Sequence, residues 1–202
     1  MASTRKAPIG RPRGFDENEA LERAMLVFWE HGYEGASLTD LTSAMGIART
    51  SMYAAFGSKE ELFEKAVKRY AEGPAAYVAR ALEEPSAREV ATAFLTGSVH
   101  ATTGPGAPSG CLAVQGALAA GELGRPARDT LTAWRDEARS RLRDRFRHAV
   151  DDGDLPPDAD PEVLARYVMT VSNGIAVQAA GGATRAELQQ VADMALRNWP
   201  VA

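Results

Sequence analysis

The stretch "LTDLTSAMGIARTSMYAAFGSKEELF", residues 38–63, decides how the rest of the chain is read. Leu38, Leu41 and Met45 line one face of a short helix that Gly46 closes, and a second short helix near residues 49–55 ends before Gly57. The turn between them spans only three residues. Ser58, followed three positions later by Glu61, then opens a longer helix, because a serine and a carboxylate at that spacing satisfy orphan amide groups reciprocally. Two short helices joined by a tight turn, with a third before them, form a helix-turn-helix: the first of the pair braces and the second is free to enter a major groove. Tight αα corners also occur in helical proteins that bind no DNA, so the spacing alone leaves both readings open.

Outward from this stretch the same start signal recurs at Asp16 with Glu19, Ser37 with Asp40, Ser86 with Glu89 and Thr184 with Glu187, and Asp160 followed by Pro161 adds another start. After Asp16, the residues Leu21, Ala24, Met25 and Phe28 keep a helical period until Gly32 offers a stop. Gly73 and Pro74 break or kink the helix that begins at Ser58, and a further turn or two runs toward Glu84. More helices are expected over residues 86–101, in "CLAVQGALAAG", and over 126–150, 161–180 and 184–198. The expectation is an all-α chain of about nine helices, with an N-terminal arm and helix-turn-helix domain over residues 1–57 and a helical body over 58–202.

At 202 residues and 45% hydrophobic, the chain is long enough to bury a real core. No apolar run approaches the roughly 18–20 residues that cross a bilayer, and the N-terminus lacks the apolar core of a secretory signal. No membrane partner is expected, and the location expected is cytoplasmic. Cys111 is the single cysteine, so no intrachain disulfide can form, and His31, His100 and His148 show no metal-ligand spacing. Nor is there a nucleophile elbow or a phosphate loop. No cofactor, metal or catalytic residue is therefore expected, and the chain does not read as an enzyme. The net charge of −4 hides an uneven distribution, with Arg5, Lys6, Arg11 and Arg13 and no acid in residues 1–15, but six acids and no base in residues 151–162.

The residues "SLTDLTSAMGIARTSMYAAFGSKEELF", preceded by "FWEHGYEGAS", resemble the N-terminal DNA-binding region of the TetR family of transcriptional regulators, a match that spans residues 15–63. The family pattern supplies a threonine or serine entry to the first helix of the pair, a glycine turn, a tyrosine late in the second, and then Ser-Lys-Glu. Leu38, Leu41, Met45, Ile47, Met52, Phe56, Leu62 and Phe63 read as the apolar brace, leaving Thr39, Arg49, Thr50, Ser51, Tyr53 and Lys59 for DNA. By resemblance, Tyr53 lays its hydroxyl on the DNA backbone, while Lys59 and the amides after Ser58 meet a phosphate.

Two departures stand out. Ala48 replaces the usual serine or threonine cap of the second helix, a loss of typically about 1 kcal/mol. Ala54 and Ala55 replace larger side chains, so their methyls can touch thymine methyls but make no hydrogen bonds. Arg49, Thr50 and Ser51 are left as the polar readers. Arg11 and Arg13, flanking Pro12, suit a narrow A/T-rich minor groove; a solvated tail is the other reading of that arm.

The resemblance implies a double-stranded, palindromic DNA operator, a homodimer formed through the helices near 126–150 and 161–180, and a small-molecule effector bound in the body. Release of DNA by that effector makes the chain a repressor. Ser172, Gly174, Ala176 and Ala180 would permit close helix approach across the dimer axis. Candidates for the effector's surroundings are Phe94, His100, Cys111, Gln115, Trp134, Met169 and Asn173, few of them charged, which points to an uncharged, apolar or aromatic ligand. Ordinary core packing is the competing reading of each apolar one. The row Arg135, Arg139, Arg143 and Arg147, interleaved with Asp136, Glu137 and Asp144, reads better as a paired, solvated face than as a second nucleic-acid surface. Two other classes stay open: a helical protein-interaction adaptor that binds no DNA, and a small enzyme using Cys111 and His100.

Overall fold

The computed structural model describes residues 14–119, 121, 124–197 and 199–200, with the side chains of residues 118 and 119 left aside. Among the described residues there are ten helices and no strand. They are α1 (Glu17–Gly35), α2 (Leu38–Met45), α3 (Arg49–Phe56), α4 (Lys59–Glu72), α5 (Tyr77–Ala81), α6 (Ala87–Thr102), α7 (Leu112–Ala119), α8 (Arg125–Asp151), α9 (Pro161–Ala180) and α10 (Arg185–Leu196). The extra helix is α5, where the chain beyond Pro74 forms its own short element.

Helix starts follow the serine, threonine and aspartate signals closely. Ser37 with Asp40, Ser58 with Glu61, Ser86 with Glu89 and Thr184 with Glu187 each form a reciprocal capping box. Asp160 accepts from the amides of Glu162 and Val163, with Pro161 in the first turn. Asp16 accepts from Asn18 and Glu19, but Glu19 turns instead to Arg23 four residues on. Gly32 does interrupt α1, with φ 69° and ψ 175°, and one further turn follows it to Gly35.

Two hydrophobic clusters organise the molecule. The first joins α1 to α4 and draws in α7, through Leu112, Ala113, Val114 and Ala117, with Ala127 and Leu131 of α8. The second is built from α5, α6, α8, α9 and α10 around Phe94, Leu142, Phe146, Val168 and Leu188. Tyr77 and Trp134 pack against both clusters. The head made by α1–α3 thus shares its core with α4 and α7 rather than hanging from a linker.

Candidate nucleic-acid interface

The brace is laid down as its apolar residues dictate. Leu41, Met45, Met52, Phe56, Leu62 and Phe63 are buried, and Leu38 and Ile47 pack against them in part. Phe28, Tyr33 and Phe63 stack at the centre, Phe28 meeting Phe63 edge-on at 5.0 Å and Tyr33 meeting Phe63 at 5.2 Å between ring centroids. With Met52 and Phe56 fixed inward, the opposite side of α3 must face out. Arg49, Thr50, Tyr53 and Ala54 are exposed, Ser51 and Ala55 are part-buried, and Thr39 is exposed on α2. Ala48 supplies no side-chain cap, and α3 begins bare at Arg49. Beside it runs a groove of about 340 Å³ lined by Gly14, Phe15, Gly46, Ile47, Ala48, Ser51, Ala54 and Ala55. Arg11 and Arg13 lie outside the described residues.

Two of the cations expected at DNA, Arg49 and Lys59, rest on aromatic rings of the head. The Arg49 guanidinium sits 5.8 Å from the centre of the Tyr53 ring, with Nη2 3.4 Å from the Tyr53 hydroxyl. The Lys59 ammonium lies 4.5 Å over the Tyr33 ring. Burial pushes the Lys59 pKa down, and the Glu34 carboxylate opposes that shift. Burial likewise raises the Tyr33 phenol, with Glu60 adding to the effect.

In the body, five of the seven effector candidates come together. Phe94, Cys111, Trp134, Met169 and Asn173 line one narrow cavity of about 20 Å³, joined by Tyr77, Val78, Ser98, Val114, Arg135, Ala138, Ser172 and Ala176. Its space is that of a single water. The other two candidates lie apart: His100 is exposed in the last turn of α6, and Gln115 packs its amide against Gly110. The cavity falls at the seam between the two hydrophobic clusters, with Cys111, Val114 and Ala176 from the first and Val78, Phe94, Ala138 and Met169 from the second.

The cavity's polar floor went unnoticed at the sequence level. Ser172 donates to Ser98 at 2.9 Å, both buried, and the two hydroxyls face the Tyr77 oxygen. Burial holds the Tyr77 phenol protonated, Cys111 reinforces the shift, and the serine hydrogen bonds oppose it. Ser98, four positions after Phe94, and Ser172, four after Val168, each interrupt an apolar stripe with a hydroxyl, which is the signal that could have marked them. Cys111 is buried and accepts the Tyr70 hydroxyl at 3.2 Å.

The arginine row of α8 is engaged with its own protein. Arg139 pairs with Glu162 and Asp136, Arg143 and Arg147 pair with Asp144, and Arg135 donates to the Ala113 carbonyl at 2.7 Å. Val163, Tyr167 and Val177 of α9 and Val191 and Met194 of α10 are exposed large hydrophobics. A groove of about 720 Å³ runs there between α9 and α10. Of the four small residues on α9, Gly174 and Ala180 face outward, whereas Ser172 and Ala176 turn into the core. Among the described residues, no helix is long and apolar enough to cross a membrane, and no cluster of His, Cys, Asp or Glu could hold a metal ion.

Known proteins resemble most of the chain. A family model described as "Bacterial regulatory proteins, tetR family" matches residues 20–66, and one described as "Tetracyclin repressor-like, C-terminal domain" matches residues 90–195. The HTH-type transcriptional repressor ComR of Escherichia coli is 31% identical over 197 residues, covering 96% of this chain and 94% of that protein. The HTH-type transcriptional regulator YezE of Bacillus subtilis is 38% identical over 166 residues, covering 79% and 84% respectively. Among solved structures, a cysteine mutant of the TetR family transcriptional regulator CifR, complexed with 26-base-pair double-strand operator DNA, superposes with a TM-score of 0.89 at 46% identity, covering 94% of this chain and 100% of that one.

Proposed function

This chain belongs to the TetR family of transcriptional regulators, and from that premise we propose that it is a repressor, one that binds a palindromic operator as a homodimer and leaves it when a small uncharged effector enters the body. The observation that carries the reading is the outer face of α3. Arg49, Thr50, Tyr53 and Ala54 stand exposed on a helix whose other side, Met52 and Phe56, is locked into the core. Such a face offers a guanidinium and hydroxyls to base edges and phosphates, and a methyl to thymine. Lys59 and the N-terminus of α4 supply backbone anchors. With no hydrogen bonds available from Ala54 and Ala55, the polar readout is assigned to Arg49, Thr50 and Ser51, with Thr39 on the bracing helix and Arg11 and Arg13 in the adjacent minor groove.

A second copy of the chain is assigned to α8 and α9, where α9 leaves Val163, Tyr167 and Val177 exposed and Val191 and Met194 of α10 extend that apolar surface. A two-fold pair of recognition helices about 34–36 Å apart reads two half-sites one DNA turn apart. The effector is assigned to the seam cavity. Its lining holds no carboxylate, and its one cation, Arg135, is already held by the Ala113 carbonyl, which favours a neutral ligand. Entry of a ligand has to part the two clusters. Trp134 on the cavity wall packs 6.0 Å from Tyr70, and Tyr70 packs 4.9 Å from Trp29 of α1, so the displacement has a packed route to the head. To move the population from 99:1 to 1:99, the ligand must favour the released state by about 5.5 kcal/mol.

The reading places the protein in the cytoplasm with the chromosome and gives Cys111 and His100 no catalytic role. Its test is operator affinity measured against salt. Replacing Lys59 by Gln is expected to weaken binding and to reduce the salt slope by about 1. No preferred duplex for the native protein, together with intact function in a variant carrying Arg49→Ala, Tyr53→Phe and Lys59→Gln, would instead favour a protein-interaction adaptor that binds no DNA.

A further inference from the structure

Lys59 and Phe63 stand one turn apart on α4, and both meet the ring of Tyr33. The Lys59 ammonium lies 4.5 Å from the ring centroid, and the Phe63 ring meets it edge-on with 5.2 Å between centroids. Phe28 adds a third contact, stacked at 6.2 Å with the two rings 12° from parallel. Phe28 and Phe63 are themselves buried and packed edge to face at 5.0 Å. Tyr33 is thus fixed by two core rings, and Gly32, with φ 69°, interrupts α1 immediately before it.

A lysine carries its charge on a long flexible stem, and freezing such a side chain at an interface opposes binding. A ring beside the ammonium removes part of that freedom in advance, because its negative face attracts the charge. A neutral ring does not cancel the charge as a carboxylate would, and it engages only one side of a group with three donors. Lys59 is also the first residue of α4, directly after the Ser58 cap, so a phosphate drawn to the helix's N-terminal amides arrives beside it. We propose that Tyr33 is a positioning residue for operator binding: its ring, anchored on Phe28 and Phe63, holds the Lys59 ammonium where it meets a DNA phosphate. The aromatic residue of "HGYEG" then serves binding as well as the packing of the head, and it acts through Lys59. The inference rests on the reading in which Lys59 contacts the DNA backbone.

The test uses the full-length protein and an operator duplex obtained by selection from randomised DNA, with affinity read by fluorescence anisotropy. Tyr33→Leu removes the π face and is expected to weaken binding about 2- to 5-fold, the range of a cation–π contact at an exposed site. Tyr33→Phe keeps the face and is expected to bind as the native protein does. Phenylalanines carrying one to five ring fluorines at position 33 keep the ring while draining its negative face, and affinity is expected to fall stepwise along that series. In a Lys59→Gln background none of these substitutions is expected to change affinity. Equal losses in both backgrounds mean that Tyr33 acts through packing alone and overturn the proposal. So does a flat fluorine series with Lys59 in place, or a loss in Tyr33→Phe as large as in Tyr33→Leu. Tighter binding by Tyr33→Leu also overturns it, because the ring would then compete with the phosphate. Native affinity in Lys59→Gln itself would remove the phosphate role of Lys59 together with the proposal, whereas a weakened Lys59→Gln beside a flat fluorine series removes the proposal alone. Thermal midpoints show which variants are folded, and the fluorine series carries the test if Tyr33→Leu is not.

Discussion

Single residues set the weak points of this molecule. Ala48 stands where the helix entering the groove most needs a cap, with φ −70° and ψ 151°, a conformation that suits a capping serine. Ala48→Ser is therefore expected to stabilise the protein by about 1 kcal/mol in denaturant unfolding, and an unchanged midpoint would mean that the α3 amides are already satisfied elsewhere. Gly97 is a second such point. A Cβ on it would lie 2.6 Å from Tyr77 Cδ2, on the side chain that faces Ser98 and Ser172. Overpacking costs about 1–3 kcal/mol, against about 1 kcal/mol gained in helix propensity on leaving glycine. Gly97→Ala should thus lower stability by up to about 2 kcal/mol, and a rise would contradict the packing of α5 on α6. The outward residues of α3 were legible in the sequence because a helix with Met52 and Phe56 buried has only one other side to offer. Tyr77, Ser98 and Ser172 were not, since each matters through a partner far along the chain that no local period announces.

At the scale of elements, the capping chemistry made the helix starts readable. Four serine or threonine residues with a carboxylate three positions on became full capping boxes. The turn or two expected toward Glu84 proved to be a separate helix, α5, five residues long and too short to display a period of its own. The boxes carry a pH signature. The serine and threonine partners hold the carboxyls of Asp40, Glu61 and Glu187 below their ordinary values, hydrogen bonding outweighing burial in each. A carboxyl depressed in the folded state contributes stability that is fully present above its unfolded pKa and is lost as pH falls through its folded pKa. Stability should therefore hold from neutral pH down to about 4, the ordinary range of these groups, and fall below it. Asp40→Asn, Glu61→Gln and Glu187→Gln together should flatten that fall in thermal unfolding across pH; an identical acid profile in the triple variant would deny the boxes this role.

Over the whole molecule, two cores meet at a seam, and on the proposed reading that seam is where a body that binds a ligand would act on a head that binds DNA. The sequence carried the class of fold and the helical count to within one element. It did not reveal that α7 belongs with the head, because contacts between α1 and α7 join segments some eighty residues apart and leave no periodic trace in either. The same blindness applied to the seam cavity. Its apolar members stood out on their stripes, but the coincidence of their wall with the boundary between clusters exists only in three dimensions. On the proposed reading, that boundary would give an effector its leverage over the spacing of the two heads.

The central claim is that the two α3 faces of a dimer read one symmetric DNA site, and selection from a pool of randomised duplexes by the full-length protein tests it most directly. The account predicts enrichment of one inverted repeat whose half-site centres lie about 10–10.5 base pairs apart, with the enrichment abolished in the Arg49→Ala, Tyr53→Phe and Lys59→Gln variant. A pool that stays random after repeated rounds, or one enriched equally by that variant, would contradict it.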